Sequence, residues 1–137
     1  MRVDTLQEIS RELARIAFEI GAVQLNPEDP FTWASGYRMP VYNDNRLLLN
    51  QTNHRILVCS GFQEIIRREN LFIDVIAGTA TAGIPHATTL ANLLFLPLVY
   101  VRSKPKKHGM ENQVEGSMRK NQNAIIAAIS MAGEYGK

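Results

Sequence analysis

Residues 73–101 read IDVIAGTATAGIPHATTLANLLFLPLVYV, and the prediction of the fold rests mainly on their pattern. Apolar runs at 73–77 and 97–101 have the length and composition of buried strands. Between them we expect a glycine-bounded loop at 78–83, followed by a helix from about 84 to 94. Strand, loop, helix and strand in this order predict a βαβ unit. The chain is therefore expected to form an α/β domain with a mainly parallel sheet.

An amphipathic helix is predicted before this unit. Asp4 can cap its start, with Gln7 three residues later, and Gly21 can end it. Apolar residues recur between them at three- and four-residue spacing on one face: Leu6, Ile9, Leu13, Ile16, Ala17 and Ile20. Arg15 and Glu19 are spaced to form an ion pair on the solvent side. This helix is interpreted as a packing element.

The segment between the first helix and residue 73 is predicted to hold short strands and a second helix. We expect strands at 22–25, 41–42 and 47–49, with turns at 26–30 and 43–45. The second helix is expected from about 52 to 69. Its apolar stripe consists of Val58, Phe62, Ile65 and Ile66.

Length and composition are those of one globular domain. The chain has 137 residues, of which 45% are hydrophobic and 20% charged, enough for a single core. No apolar run approaches the roughly 20 residues that span a bilayer, and the N-terminus lacks the pattern of a signal peptide. The single cysteine, Cys59, cannot form an intramolecular disulfide. We therefore expect a cytoplasmic protein with no membrane partner.

Positive charge is concentrated in one stretch. Residues 102–120 hold six basic and two acidic residues, a net charge of +4, whereas the whole chain carries +2. Such a stretch can bind an anionic partner, or it can be a solvated loop. Residues 103–120 are predicted to form a flexible loop. This loop lacks the stacking aromatic residues of single-strand-binding proteins, so nucleic acid is the least favoured partner.

The loop at 78–83 is the first candidate ligand site. Backbone N–H groups and the start of the following helix can hold an anion there, at the carboxyl end of a strand. An ordinary βα turn explains the same residues equally well. Ile84 and Pro85 stand where a nucleotide P-loop requires Lys and Ser or Thr, which excludes that motif. The candidate residues are Gly78, Thr79, Ala80, Thr81, Ala82 and Gly83.

A second candidate group follows the next strand. Arg102 lies at the predicted strand end, where its guanidinium would be held rigidly and could bind phosphate. Lys106 and His108 would lie on a mobile loop that can close over a polyanion. Two anion-binding features at neighbouring strand ends favour a phosphorylated small molecule as the ligand.

These residues carry a resemblance to bacterial orotate phosphoribosyltransferases, which are type I phosphoribosyltransferases. The matching stretches cover the chain from residue 21 to about 120 in order and spacing: 21–23 with 29–36, 40–46, 74–87 and 100–116. The pattern Arg-x-x-x-Lys-x-His-Gly at 102–109 is fairly specific to this family. The resemblance implies a type I phosphoribosyltransferase-like α/β fold, with a mainly parallel sheet flanked by helices.

The resemblance also implies an activity and a site. The reaction would transfer ribose 5-phosphate from phosphoribosyl pyrophosphate to orotate, giving orotidine 5′-phosphate and pyrophosphate in pyrimidine synthesis. Arg102, Lys106 and His108 would bind phosphoribosyl pyrophosphate, with Lys106 and His108 as the catalytic candidates. Residues 78–83 would hold its pyrophosphate, and Ser35, Gly36 and Tyr42 would face orotate. The basic loop would close over a neighbouring subunit in a homodimer. Magnesium would arrive mainly on phosphoribosyl pyrophosphate, with no protein ligands assigned.

The sequence departs from the family in two respects. Ala34, Ala82 and Ser103 stand where some members have lysine, so those ligands are not carried over. The family motif expected after Gln122 has two acidic residues and a Thr/Ser- and Gly-containing turn, whereas residues 123–133 have no acidic pair. Residues 1–137 are thus expected to form one partial domain, incomplete on its C-terminal side. The alternative function is a non-catalytic dimerising or ligand-binding remnant of this family.

Four further residues are predicted to be structural. His54 is expected on a helix surface, and His86 is expected to pack in the first turn of the third helix. Trp33 is interpreted as a packed aromatic residue and Cys59 as a packed thiol.

Overall fold

The computed structural model describes residues 4–104, 113–128 and 131–132. This part of the chain holds three α-helices, one 3-10 helix and nine strands. The helices are α1 (Thr5–Glu19), the 3-10 helix (Asn45–Leu49), α2 (Thr52–Arg68) and α3 (Gly83–Leu94). The strands are β1 (Val23–Leu25), β2 (Phe31–Thr32), β3 (Arg38–Met39), β4 (Val41–Asp44), β5 (Val75–Thr79), β6 (Leu98–Val101), β7 (Val114–Glu115), β8 (Ala124–Ala127) and β9 (Met131–Ala132).

The central sheet has the strand order β7-β6-β5-β8. Strand β5 pairs in parallel with both β6 and β8, and only β7 runs antiparallel. The predicted α/β architecture with a mainly parallel sheet is confirmed. Two smaller antiparallel units accompany it: the sheet β1-β4-β9 and the hairpin β2-β3.

The core lies on both faces of the central sheet, because side chains along β5 alternate between them. Ile76 packs with Cys59 of α2 and Leu90 of α3, and all three are completely buried. Val75 and Val99 form a second buried cluster with Ala77 on the opposite face.

Helix α1 forms as the spacing predicts. The Asp4 carboxylate accepts a hydrogen bond from the Gln7 N–H, at 3.2 Å, and so caps the helix. Arg15 bridges Glu12 and Glu19, at 2.7 and 2.5 Å. Asp4 also forms an ion pair with Arg68, which ties the start of α1 to the end of α2.

The predicted strand at 47–49 and turn at 43–45 are wrong. Asp44 ends β4, and its carboxylate accepts a hydrogen bond from the Arg46 N–H, at 3.1 Å. The same carboxylate binds the Arg46 guanidinium at 2.7 and 2.6 Å. These contacts start a 3-10 helix, in which Leu48 is buried while Leu47 is 42% exposed.

Smaller differences affect the other elements. Strand β5 extends through Gly78 and Thr79, so the loop before α3 is shorter than predicted. Ile65, expected in the apolar stripe of α2, is 41% exposed. Within the predicted loop at 103–120, Val114–Glu115 form β7 against β6. The apolar run after residue 123, too short to assign from its pattern, forms β8.

The ion pair between Asp44 and Arg46 leads to a testable prediction. Hydrogen bonds from Arg46 hold the pKa of Asp44 below its usual range. Stability from this pair is thus present above the unfolded-state pKa and is lost as pH falls through the lower folded-state pKa. Asp44→Asn should lower the free energy of unfolding at pH 7 by about 1–3 kcal/mol and flatten its decline in acid. Urea unfolding from pH 2 to 7 measures both effects.

Asp29→Asn is the matched control. Asp29 also binds an arginine, Arg38, at 3.1 Å, but its side chain is 87% exposed. Exposed pairs contribute about 0–1 kcal/mol, so this variant should unfold almost as the parent does. Equal losses of unfolding free energy in the two variants would contradict a special role for the Asp44–Arg46 ion pair.

Candidate anion-binding site at the strand ends

The parallel strands bring three chain segments to one edge of the sheet. Thr79 pairs with Val101, and Gly78 pairs with Ala127, so β5, β6 and β8 end at nearly the same level. The Ala80 N–H donates to the Val101 carbonyl at 2.8 Å, which holds the loop after β5 beside the end of β6. The peptide bond between Ala80 and Thr81 is cis. Loop and strand ends together form the candidate site.

Gly78 and Gly83, at the two ends of the 78–83 motif, lie where neighbouring elements pack closely together. A Cβ on Gly83 would lie 2.5 Å from the Ala127 carbonyl oxygen and 2.6 Å from Thr79 Oγ1. A Cβ on Gly78 would lie 2.9 Å from both Ile84 Cα and Ala87 Cβ. Neither glycine has a positive φ angle. The two glycines let α3 pack closely against β5 and β8.

The start of α3 brings the positive end of its helix dipole to this edge. The N-cap residue Ala82 makes no side-chain capping hydrogen bond. The Ile84 N–H donates to the Thr81 carbonyl at 3.3 Å, and Pro85 has no N–H. First-turn N–H groups and the helix dipole favour an anion at this position. Thr81 is exposed and Thr79 is half-buried at the same edge.

Arg102 directly follows β6, as predicted. Its backbone N–H donates to the Gln113 carbonyl at 2.8 Å, and its own carbonyl accepts a bond from the Gln113 amide at 3.1 Å. The Arg102 side chain is 38% exposed, with Nη1 3.8 Å from Glu115 Oε1. Its buried Nε atom has no hydrogen-bond partner within the described residues. Glu115, one of two acidic residues in the basic stretch, was not singled out from the sequence.

The residues expected to face orotate lie in a different part of the chain. Ser35 and Gly36 are exposed in the turn between β2 and β3, where Gly36 has a φ of 85°. Tyr42 lies in β4, with its ring 5.7 Å from that of Phe31. The Trp33 indole N–H donates to the Val41 carbonyl at 2.9 Å, which agrees with a packed role.

The remaining residues considered from the sequence are either buried, half-buried or outside the described residues. Lys106 and His108 lie outside them. Burial raises the pKa of the Cys59 thiol to about 11, and its S–H contacts the His86 carbonyl at 3.4 Å, as expected of a packed thiol. His86 is 4% exposed, and His54 is half-buried near the start of α2.

The end of β8 carries no acidic side chain. Strand β8 ends at Ala127 and is followed by Ala128, so neither position offers a carboxylate. Within residues 4–104, 113–128 and 131–132, no three His, Cys, Asp or Glu side chains come together as a metal site. No helix of this part is long and apolar enough to cross a bilayer.

Comparison with solved structures identifies the class of protein. The chain superposes on an orotate phosphoribosyltransferase from Aeropyrum pernix with a TM-score of 0.65 and 32% identity, over 83% of this chain and 62% of that one. It also superposes on a UMP synthase from Leishmania donovani, with a TM-score of 0.68 and 28% identity, over 87% of this chain and 24% of that one. The chain also superposes on an adenine phosphoribosyltransferase from Trypanosoma brucei, with a TM-score of 0.52 and 15% identity. This superposition covers 86% of this chain and 53% of that one. The fold is an incomplete type I phosphoribosyltransferase fold.

Sequence comparison finds similarity to orotate phosphoribosyltransferases in particular. The chain is 48% identical to an orotate phosphoribosyltransferase from Streptococcus mutans and 50% identical to one from Streptococcus pyogenes. Each match covers 118 residues, which are 86% of this chain and 56% of the relative. No protein-family model matches the chain. Over this length the chain is homologous to the orotate phosphoribosyltransferases, and it spans a little over half the length of these relatives.

Proposed function

We propose that this chain provides the pyrophosphate-binding part of an orotate phosphoribosyltransferase site. In the reaction, the orotate nitrogen attacks the anomeric carbon of phosphoribosyl pyrophosphate. The bond from that carbon to the pyrophosphate oxygen breaks, and orotidine 5′-phosphate and pyrophosphate result. A departing pyrophosphate requires positive charge and oriented N–H donors where its negative charge develops.

One observation carries the proposal: the uncapped start of α3 and the Arg102 guanidinium lie at the same sheet edge. The Ala80-to-Val101 hydrogen bond holds the two features together. The unpartnered Nε of Arg102 leaves a buried donor that an anionic oxygen would satisfy. Homologues named orotate phosphoribosyltransferase supply the choice of substrate.

The remaining roles follow from the resemblance and are part of the proposal. Lys106 and His108 act on the pyrophosphate from the basic loop, which closes over the site of a second subunit in a homodimer. Magnesium is bound by phosphoribosyl pyrophosphate itself, where it offsets part of the pyrophosphate charge. Ser35, Gly36 and Tyr42 contact orotate. We place the protein in the cytoplasm, with no nucleic acid or membrane as partner.

A second candidate function is a non-catalytic remnant that keeps ligand binding or dimerisation. The observation that favours it is the end of β8, where Ala127 and Ala128 offer no carboxylate to ribose hydroxyl groups. Binding without turnover would support this function, whereas turnover would exclude it.

Arg102→Ala tests the assignment of the pyrophosphate site. The variant should bind phosphoribosyl pyrophosphate with magnesium about 10- to 100-fold more weakly, since a charge-assisted hydrogen bond contributes roughly 1.5–3 kcal/mol. Orotate binding should change much less. Calorimetric titration of each ligand measures both affinities.

Arg119→Ala is the control, because Arg119 is an exposed arginine in the same basic stretch. It should keep the parental affinity for phosphoribosyl pyrophosphate. If Arg102→Ala lost affinity equally for both ligands, the result would count against the proposed site. Equal losses of affinity for phosphoribosyl pyrophosphate in Arg102→Ala and Arg119→Ala would also count against it.

A further inference from the structure

Strand β7 brings an acidic side chain, Glu115, beside Arg102. Glu115 Oε1 lies 3.8 Å from Arg102 Nη1, so the two side chains form an ion pair. Glu115 is the only acidic residue among residues 102–104 and 113–120, the described parts of the basic stretch. A carboxylate at an anion site repels the ligand. Its presence beside this arginine therefore requires a compensating role.

The pairing of β6 and β7 places the two side chains on one face of the sheet. Side chains alternate along a strand, so Arg102 shares the face of Tyr100, and Glu115 lies directly opposite Tyr100. Val101, between them, packs on the other face with the buried cluster around Val75. Arg102 and Glu115 are therefore diagonal cross-strand neighbours, at a spacing that long side chains can bridge.

Backbone contacts on both sides of Glu115 hold β7 against β6. The Arg102 N–H donates to the Gln113 carbonyl at 2.8 Å, and the Gln113 side-chain amide donates to the Arg102 carbonyl at 3.1 Å. On the other side, Gly116 has a φ of 108°, and a Cβ there would lie 3.0 Å from Val99 Cγ1. The Glu115 carboxylate thus reaches Arg102 from a backbone that is fixed at both ends.

The two side chains differ in exposure. The Glu115 side chain is 21% exposed and the Arg102 side chain is 38% exposed. The carboxylate is thus mostly covered, whereas the guanidinium keeps accessible surface for a ligand. A free arginine side chain has many rotamers, and ordering it before the ligand arrives lowers the entropy cost of binding.

We propose that Glu115 is a positioning residue, which holds the Arg102 guanidinium at the end of β6 in the orientation that binds pyrophosphate. Glu115 acts through Arg102 and does not itself touch the ligand. The inference rests on the proposed function, because that function makes Arg102 a pyrophosphate ligand. The gain from an ordered guanidinium exceeds the repulsion between the carboxylate and pyrophosphate.

Order in the Arg102 side chain tests the contact without any ligand. In the isotopically labelled 137-residue chain, the Nε–H signal of Arg102 is assigned by its absence from Arg102→Ala. Its order parameter should exceed about 0.6 in the parent and fall below that value in Glu115→Gln, which keeps the size of the side chain but removes its charge. An unchanged order parameter in Glu115→Gln would overturn the proposal.

Glu69→Gln is the matched control. It removes the same charge from an exposed glutamate at the end of α2, so the order parameter of Arg102 should stay at its parental value. An equal fall in Glu69→Gln and Glu115→Gln would show an effect of net charge alone and would overturn the proposal.

A double-mutant cycle tests whether this order strengthens binding. In calorimetric titrations with phosphoribosyl pyrophosphate and magnesium, Glu115→Gln should bind about 3- to 10-fold more weakly than the parent, in the lower part of the range for coupled residues in contact. In the Arg102→Ala background the same substitution should cause no further loss, because no guanidinium remains for Glu115 to hold. An equal loss in both backgrounds, or tighter binding in Glu115→Gln, would overturn the proposal.

The two measurements separate this inference from the proposed function. A parent chain with an ordered Arg102 that binds no phosphoribosyl pyrophosphate would refute the proposed function, and the role of Glu115 in binding with it. A parent that binds, together with a Glu115→Gln variant that binds equally well, would refute only the role of Glu115. If Glu115→Gln does not fold, Glu115→Asp takes its place, because it keeps the charge and withdraws the carboxylate by one methylene group; the same outcomes then decide.

Discussion

Gly83→Ala should be strongly destabilising, by about 3 kcal/mol, at the upper end of the usual cost of overpacking. The added Cβ would lie 2.5 Å from the Ala127 carbonyl oxygen and 2.6 Å from Thr79 Oγ1. Replacing glycine also restricts the unfolded chain, which favours folding by roughly 0.4–1 kcal/mol, but the steric cost exceeds this gain. Denaturant unfolding of parent and variant gives the difference directly.

Gly61→Ala is the matched control for this substitution. Gly61 is also buried and also helical, but its added Cβ would approach no atom more closely than Ile9 Cγ2, at 3.4 Å. Alanine is favoured over glycine inside a helix by up to about 1 kcal/mol, so this variant should be as stable as the parent or more stable. If both variants had parental stability, α3 would not pack against β8 as described.

The 137-residue chain alone should convert no measurable orotate. In the proposed site, the start of α3 and Arg102 would face pyrophosphate, but the end of β8 has alanine side chains where ribose hydroxyl groups would need a carboxylate. Positioning of reactants contributes roughly 7–11 kcal/mol to a catalysed reaction, so a ribose that is not held should react too slowly to detect. Loss of orotate absorbance with phosphoribosyl pyrophosphate and magnesium measures turnover.

The complete Streptococcus mutans relative serves as the positive control in this assay. Calorimetry on the same preparation establishes whether the 137-residue chain binds phosphoribosyl pyrophosphate, so that inactivity is not confused with misfolding. Any turnover above the background without protein would refute the prediction, and turnover near 1 s⁻¹ would lie within the usual enzyme range. Binding without turnover is the expected combination.

The regular elements were predictable because their patterns are local. Helix α1 has its cap at Asp4 and one continuous apolar face, and the βαβ unit alternates apolar runs with glycine-bounded loops. The run 47–49 was misread because three consecutive leucines have no period that separates strand from 3-10 helix. What decides there is the bidentate contact between Asp44 and Arg46, a short-range contact that apolar periodicity does not report.

The position of the candidate residues in the fold was predictable only in part. The glycine-bounded loop lies at the edge of the sheet where β5, β6 and β8 end, as expected for a loop that follows a buried parallel strand. Position 83 requires glycine because it lies against the backbone of Ala127, where a Cβ would not fit. Ala127 lies 44 residues further along the chain, so no local sequence pattern contains this contact.

The order of the strands also bears on how the chain folds. Strands β5 and β6 are joined through α3 by a short connection, so this unit can form from contacts that are close in sequence. Strand β8 adds to the other side of β5 only after a long segment is closed, since Ile76 pairs with Ile125. Contacts of large sequence separation form slowly, because loop closure costs entropy before pairing repays it. We therefore expect β8 to dock late in folding, and the environment of Gly83 to be completed only in that step.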